Sequence, residues 1–259
     1  MTIHEDDLSD LKRAKQLLEN PGVAAKITNL IGTPIEKGFE LLPDKWNKNI
    51  GEVTNVVLRK AANAATFTMK NTPGNESSDI KHKFIVAASG GLGGFFGLPA
   101  LAIELPISTT IMLRSIADIA RSEGENVNDI ETKIACIEVF AFGGPSDSDD
   151  ATESGYFTVR AALARAVSEV SKHIAGKGLS QEGAPVLARL IVSVAERFSI
   201  QVSEKAAAQA VPAIGAAGGA LINSLFIDHF QDMARGHFIV RRLESKYGQD
   251  LVKEAYATS

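Results

Sequence analysis

Two stretches without a charged side chain govern what this chain can fold into. The first, residues 84–103, holds five glycines and one proline in twenty residues; the second, residues 206–227, is twenty-two residues long and again carries a proline and clustered glycines. A charge-free run of that length either crosses a bilayer as a helix or is buried whole inside a protein core. Pro99 and Pro106 each remove a backbone donor, which argues against a straight spanning helix. A bent or re-entrant hairpin, or a buried helix pair, is therefore expected.

Glycine spacing supports close helix packing. Gly90 with Gly94, Gly93 with Gly97, and Gly215 with Gly219 stand four residues apart. Each pair leaves a smooth patch on one helix face where two backbones can approach, in lipid or in a tight soluble core. These six glycines are the expected packing or membrane contacts. Gly91, Gly94 and Gly124 recur 124 residues later as Gly215, Gly218 and Gly248. In both halves a small-residue apolar segment leads into an amphipathic helix that ends at glycine, so an internal pseudo-duplication is one reading of the layout. Gly91, Gly93 and Gly97 are also spaced as in some nucleotide-binding loops. No second strand follows them, and Pro99 and Pro106 would spoil the helix such a loop needs. No cofactor is expected.

Charged residues make up 22% of the chain and apolar residues 45%, the composition of an ordinary folded protein. A net charge of -4 argues against nucleic acid as a partner. A single cysteine, Cys136, excludes a disulfide framework and a multi-cysteine zinc site. The acidic start, MTIHEDDLSD, is unlike a secretory signal, and an intracellular setting is expected.

The periodicity is helical throughout. Leu8, Leu11, Leu17 and Leu18 share a face, and Ile50, Val53, Val57, Ala61, Ala64 and Thr68 mark a helix over 49–70. Asn128 with Glu131 reads as a capping box opening a helix to Phe142. Further helices are expected over 157–174 and from Pro185 onward. The fold class is all-α: a single multi-helix domain with its two glycine-rich apolar segments packed together. Residues 1–80 form an N-terminal helical region and 81–259 a helical core, interrupted by an acidic loop at 145–155 that is expected to be mobile. That loop lacks the glycine and distant glutamate of a calcium-binding EF-hand.

Glu104 stands alone in an apolar stretch. A buried carboxylate costs several kcal/mol without a partner, so it needs one or must hold its proton. The candidates are Arg114 and Asp118 on one charged helix, and His229, Asp232, Arg235, His237 and Arg241 on another. Glu104 with His229, Asp232 and His237 would suit a metal or acid/base site. The competing reading is a structural ion-pair network tying the two halves together. No zinc-protease motif, nucleophile elbow or phosphate-binding loop is present, so no catalytic residue is assigned.

The blocks GGLGGFFGLPALAIELPISTTIMLRSIADIARSEGE (90–125), CIEVFAFGG (136–144) and QVSEKAAAQAVPAIGAAGGALINSLFIDHFQDMARGHFIVRRLESKYG (201–248) resemble the EcsC family. The resemblance implies a bacterial, mostly helical protein, in some relatives encoded beside an ABC transporter and thought to associate with membranes. It supplies no reaction and no catalytic residues. The resulting expectation is a non-enzymatic protein, peripheral at the inner face of the cytoplasmic membrane, that engages lipid or a membrane protein such as an ABC transporter. A metal-assisted hydrolase and a soluble lipid carrier are the alternatives.

Overall fold

The second charge-free run does not form one helix. Residues 206–210 complete the helix Ala184–Ala210, and a new helix, Gly215–Tyr247, carries residues 215–227. The computed structural model describes residues 2–20, 22–31, 35–43, 46–65, 98–144, 155–177, 184–211 and 215–259. Those residues contain ten α-helices, one 3-10 turn and no strand. In chain order the helices are α1 (Glu5–Leu18), α2 (Val23–Ile31), α3 (Glu36–Phe39), α4 (Trp46–Ala65), α5 (Leu98–Ser122) and α6 (Ile130–Glu138). The 3-10 turn Val139–Ala141 follows, then α7 (Gly155–Lys177), α8 (Ala184–Ala210), α9 (Gly215–Tyr247) and α10 (Gln249–Thr258).

Helices α8 and α9 form an antiparallel hairpin. Phe198 of α8 meets Phe230 of α9 with ring centroids 5.5 Å apart, and farther up the hairpin Lys205 stands over the Phe226 ring at 4.9 Å. Helix α5 lies beside α9 and runs parallel to it. Polar contacts set the register: Asn223 to Glu104 at 3.0 Å, Gln231 to Ser115 at 2.8 Å and Arg241 to Glu125 at 2.9 Å. Positions advance together along both helices, which only a parallel pair allows. Helix α1 runs antiparallel along α9, with Lys246 and Tyr247 donating to Asp7 and Arg242 donating to Asp10. At the centre the 3-10 turn inserts Phe140, whose ring lies 4.8 Å from Phe198 and 5.1 Å from Phe230. Tilted and edge-on aromatic pairs at these separations add to their burial.

Several local expectations are corrected. Pro99 and Pro106 do not spoil a helix: α5 contains both. Pro99 falls in the first turn, where an N–H has no intrahelical partner to lose. Pro106 removes one bond inside a helix whose neighbours Leu105, Ser108 and Thr109 are fully buried, so tertiary packing outweighs the local loss. The Asn128 cap is not formed. Asp129 takes that position without a side-chain cap bond, its Oδ1 accepting from Asn126 Nδ2 at 2.9 Å, while Asn126 Oδ1 accepts the Asn128 N–H at 3.1 Å. Gly155 belongs to α7 rather than to a loop; the rest of the acidic segment, residues 66–70, and Gly90, Gly93, Gly94 and Gly97 lie outside the described residues. Gly215 is the first residue of α9, and Gly219 is buried within it. Gly124 and Gly248, which correspond in the 124-residue spacing, both follow a long helix with φ of 96° and 90°.

Gly236 of α9 packs directly against Ala14 and Leu18 of α1. A Cβ there would stand 2.6 Å from Leu18 Cγ and 3.0 Å from the Ala14 carbonyl. Alanine gains about 1 kcal/mol in helix propensity over glycine. Overpacking costs about 1–3 kcal/mol, more when backbone must move. G236A is therefore expected to be destabilised by about 1 kcal/mol or more in urea denaturation; an unchanged or raised midpoint would show that α1 is free to shift.

Candidate functional site

Glu104 is buried, and its partners come from two other helices. Lys205 Nζ of α8 lies 2.7 Å from Glu104 Oε1, and Asn223 Nδ2 of α9 donates to the same oxygen at 3.0 Å. Lys205 is wholly inaccessible. Burial pushes its ammonium below the usual lysine range, and the Glu104 carboxylate draws it back up. The face of the Phe226 ring offers further cation stabilisation. Glu104 Oε2 has no hydrogen-bond partner among the described residues. The arrangement is a three-helix clamp in which each charge is held by the other.

The remaining candidates are dispersed over separate partners. Arg114 is half-buried on α5, with Nε buried and unpaired among the described residues. Asp118 is bridged by Arg121 one turn on, at 2.6 Å. Asp232 pairs with Lys26 of α2 at 3.3 Å, Arg235 is half-buried on α9, and Arg241 reaches Glu125. His229 is buried against Gly143, whose φ of 74° excludes most side chains. A Cβ at Gly143 would stand 2.5 Å from His229 Nε2. Burial, assisted by the Lys26 cation, pushes His229 down to about 3. A ring nitrogen lies near the Phe142 carbonyl without reaching hydrogen-bond geometry, and Gln201 Nε2 holds that carbonyl at 2.7 Å. Among the described residues no three His, Cys, Asp or Glu side chains are grouped to hold a metal ion.

His237 belongs to a second buried polar cluster, which the residue pattern did not reveal. Its Nδ1 lies 2.9 Å from the Tyr156 hydroxyl, and its ring packs 4.9 Å from Phe142. Burial, with Arg160 and Arg241 nearby, holds the imidazole well below its usual range, and burial pushes the Tyr156 phenol up. Arg160 is clamped bidentately by Glu244 at 2.7 and 2.9 Å. Glu138 lies close by and is pushed up to about 7 by burial, against the pull of Arg160 and Arg241. Cys136 is buried with its thiol pushed up by burial, a packing group and not an activated nucleophile.

Lys205 and Asn223 are the members of the clamp that sequence reasoning missed. A signal existed: Lys205 is the charge that immediately precedes the second uncharged run, as Glu104 is the one charge that follows the first. Tyr156, Arg160 and Glu138 carried no comparable signal, because they sit in ordinary amphipathic patterns.

The fold thus defines an all-α protein with buried polar clamps between long helices. The profile of the EcsC protein family matches residues 5–243, and the chain belongs to that family. The match reaches well beyond the three blocks that carry the resemblance, and it takes in α1 through most of α9. No curated protein and no solved structure matches the chain.

Two outcomes follow from the buried charges. K205M leaves Glu104 uncompensated and is expected to cost about 3–5 kcal/mol, whereas E104L/K205M removes both charges and recovers at least about 2 kcal/mol of that loss. Equal loss in the single and double variants by chemical denaturation would show that the charges are not coupled. For Glu138, the folded protein takes up the proton more readily than the unfolded chain, so its contribution to stability falls as pH rises from about 4.5 through about 7. The stability of E138Q relative to the parent is expected to climb across that window by up to about 3 kcal/mol and then level off. A flat difference over the same pH range would mean that Glu138 keeps an ordinary carboxylate pKa.

Proposed function

We propose that this protein is a non-enzymatic helical module that docks on a membrane surface, engaging lipid or a membrane protein, with an ABC transporter the partner suggested by the family resemblance. The observation that carries this reading is the polarity of the parallel α5–α9 pair. Residues 98–113 hold one charge, Glu104, and residues 215–227 hold none, whereas the C-terminal halves of both helices are rich in charge. Parallel packing gathers the two uncharged ends, and the end of α8 joins them. Lys205 and Glu104 are mutually paired there.

Large apolar side chains are exposed around that end. Ile107 is 50% and Leu221 44% accessible, and Phe39 and Leu41 are 40% and 52% accessible on the α3 corner. Gly38 of α3 rests directly on the Ala207 carbonyl of α8. Exposed Glu36, Lys37 and Glu40 flank this corner, the mixed edge expected of an element that lies at an interface and does not penetrate deeply. Among the described residues no helix is long and apolar enough to cross a membrane, which favours peripheral attachment. The inner face of the cytoplasmic membrane is the proposed location. A metal-assisted hydrolase would require Glu104, His229, Asp232 and His237 to converge, and they occupy separate partnerships.

Flotation with liposomes tests this reading. The parent protein is expected to float with the vesicles, and I107D/L221D to remain in the soluble fraction while keeping its melting temperature. Each exposed Ile or Leu contributes about 1.5–3 kcal/mol when buried, so losing both reduces partitioning by more than about tenfold. A parent protein that stays wholly soluble would overturn lipid docking. Flotation unchanged by the double variant would place the contact elsewhere.

A further inference from the structure

Helices α4 and α8 pack antiparallel. Trp46 Nε1 at the start of α4 donates to Ser203 Oγ near the end of α8 at 3.1 Å, and farther on a groove of about 500 Å³ opens between the two helices. Glu52, Val56 and Arg59 line it on the α4 side, and Val192, Ala195 and Glu196 on the α8 side. A Cβ on Gly51, which also lines the groove, would meet nothing within 4 Å, so the groove is open at that end. Val53, Val56 and Val192 are three of the eight large apolar side chains exposed among the described residues. Such residues scattered singly are ordinary. These three adjoin: Val53 and Val56 are neighbours on one helix face, and Val192 lies across the groove from Val56.

The exposed charges on this face are sorted by sign. With Trp46 opposite Ser203, antiparallel packing sets Val53 level with Glu196 and Lys60 level with Arg189. Exposed Glu52 and Glu196 therefore occupy the end nearer Trp46, and exposed Arg59, Lys60 and Arg189 the other. Glu52, Lys60 and Glu196 form no ion pair among the described residues. Arg59 donates to Asn55 of its own helix, and Arg189 shares Glu169 with Arg165. A partner surface of one sign would meet a like charge at one end of such a face. A second copy, reversed, meets an opposite charge at both. Glu52 and Arg59 stand seven residues apart, about two helical turns. A two-fold axis beside Val56 brings Glu52 of each copy to Arg59 and Lys60 of the other, with the valines meeting between them.

We propose that the α4–α8 face is the interface of a two-fold homodimer, in which the α4 helices of the two copies run antiparallel. The four helices pack as a bundle, with Val53, Val56 and Val192 of each copy filling the other's groove and the sorted charges closing both ends. A face of two helices, about 30 Å long and about 20 Å wide, suffices for the roughly 800 Å² that a standard interface takes from each partner. The reversal turns the uncharged poles of the two copies away from each other. None of Phe39, Leu41, Ile107 and Leu221 is used, so dimerisation and docking at the uncharged pole can fail separately.

Sedimentation velocity of the full chain over a concentration series reaching about 100 μM tests it. The parent is expected to pass reversibly from monomer to dimer, with a dissociation constant that rises with added salt as the end charges are screened. E52R and R59E/K60E each set like charges across the axis, and each is expected to weaken dimerisation at least about tenfold. Mixed in equal amounts, the two variants meet with opposite charges at both ends, and the mixture is expected to dimerise at least as tightly as the parent. V56D brings two carboxylates together beside the axis and is expected to stay monomeric. Glu52, Val56, Arg59 and Lys60 are all exposed, so each variant should keep the parent's melting temperature; should V56D fail to fold, the mixture decides. A parent that is monomeric throughout would overturn the proposal and leave the face to a partner of another kind. A dimer unaffected by both charge variants would overturn it too, as would a loss in both that mixing does not repair, because that repair belongs to the reversed arrangement alone.

Discussion

The contact between Glu104 and Lys205, shared with Asn223, is the constraint on which the arrangement of the long helices depends. A buried ion pair adds little net stability, because the desolvation of two charges consumes most of their attraction. Its effect here is on specificity. Sliding any one of α5, α8 and α9 by a turn would strand a charge in an apolar environment, an outcome far more costly than the pair is favourable. Ser115 with Gln231 and Glu125 with Arg241 repeat the same register farther along the parallel pair. Apolar packing alone, built here from alanine, leucine, isoleucine and phenylalanine, would distinguish those registers poorly.

Parallel packing then sets the polarity of the molecule. The uncharged N-terminal ends of α5 and α9 meet at one pole, and the charged halves of α5 and α9 meet α1 at the other, through Asp7, Asp10, Glu123, Arg242 and Lys246. These pairs are mostly half-exposed and individually weak. Between the poles lie neutral buried groups, His229 and His237 among them. Helix α2 is anchored to this middle layer by Lys26, which pairs with Asp232, and its start, which has no acidic residue of its own, lies beside Glu204. Glu204 is pushed up to about 7 by burial, with the Ala24 N–H opposing.

Much of the fold was legible in the residues. Period-3.6 patterning located the helices around Leu11, Val57, Leu163 and Leu190, all of which are buried, and glycine marked the ends of α5 and α9. The errors were local rules overridden by packing. Pro106 is tolerated because α5 is enclosed on neighbouring positions, and Asn128 yields to Asp129 because Asn126 takes its N–H. Glu104 was recognisable as a residue in need of a partner. The spacing of titratable residues points to the charged helices for that partner, whereas Lys205 lies at the border of the second uncharged run. The two histidines were legible as a potential site only by residue type; each is held in its own aromatic or glycine-lined niche.

What the sequence by itself determined is the set of one-dimensional properties: helical periodicity, the two charge-free runs, the lone carboxylate and the family to which its blocks belong. Those follow from spacing along the chain and from the cost of burying charge. Tertiary structure alone decided that α5 and α9 run parallel, that Lys205 closes on Glu104, and that Tyr156 and His237 meet although they lie far apart in the chain. The physical reason is that direction and pairing between helices arise from the simultaneous burial of several surfaces. No window of sequence contains that competition, because each helix presents more than one face that could be buried.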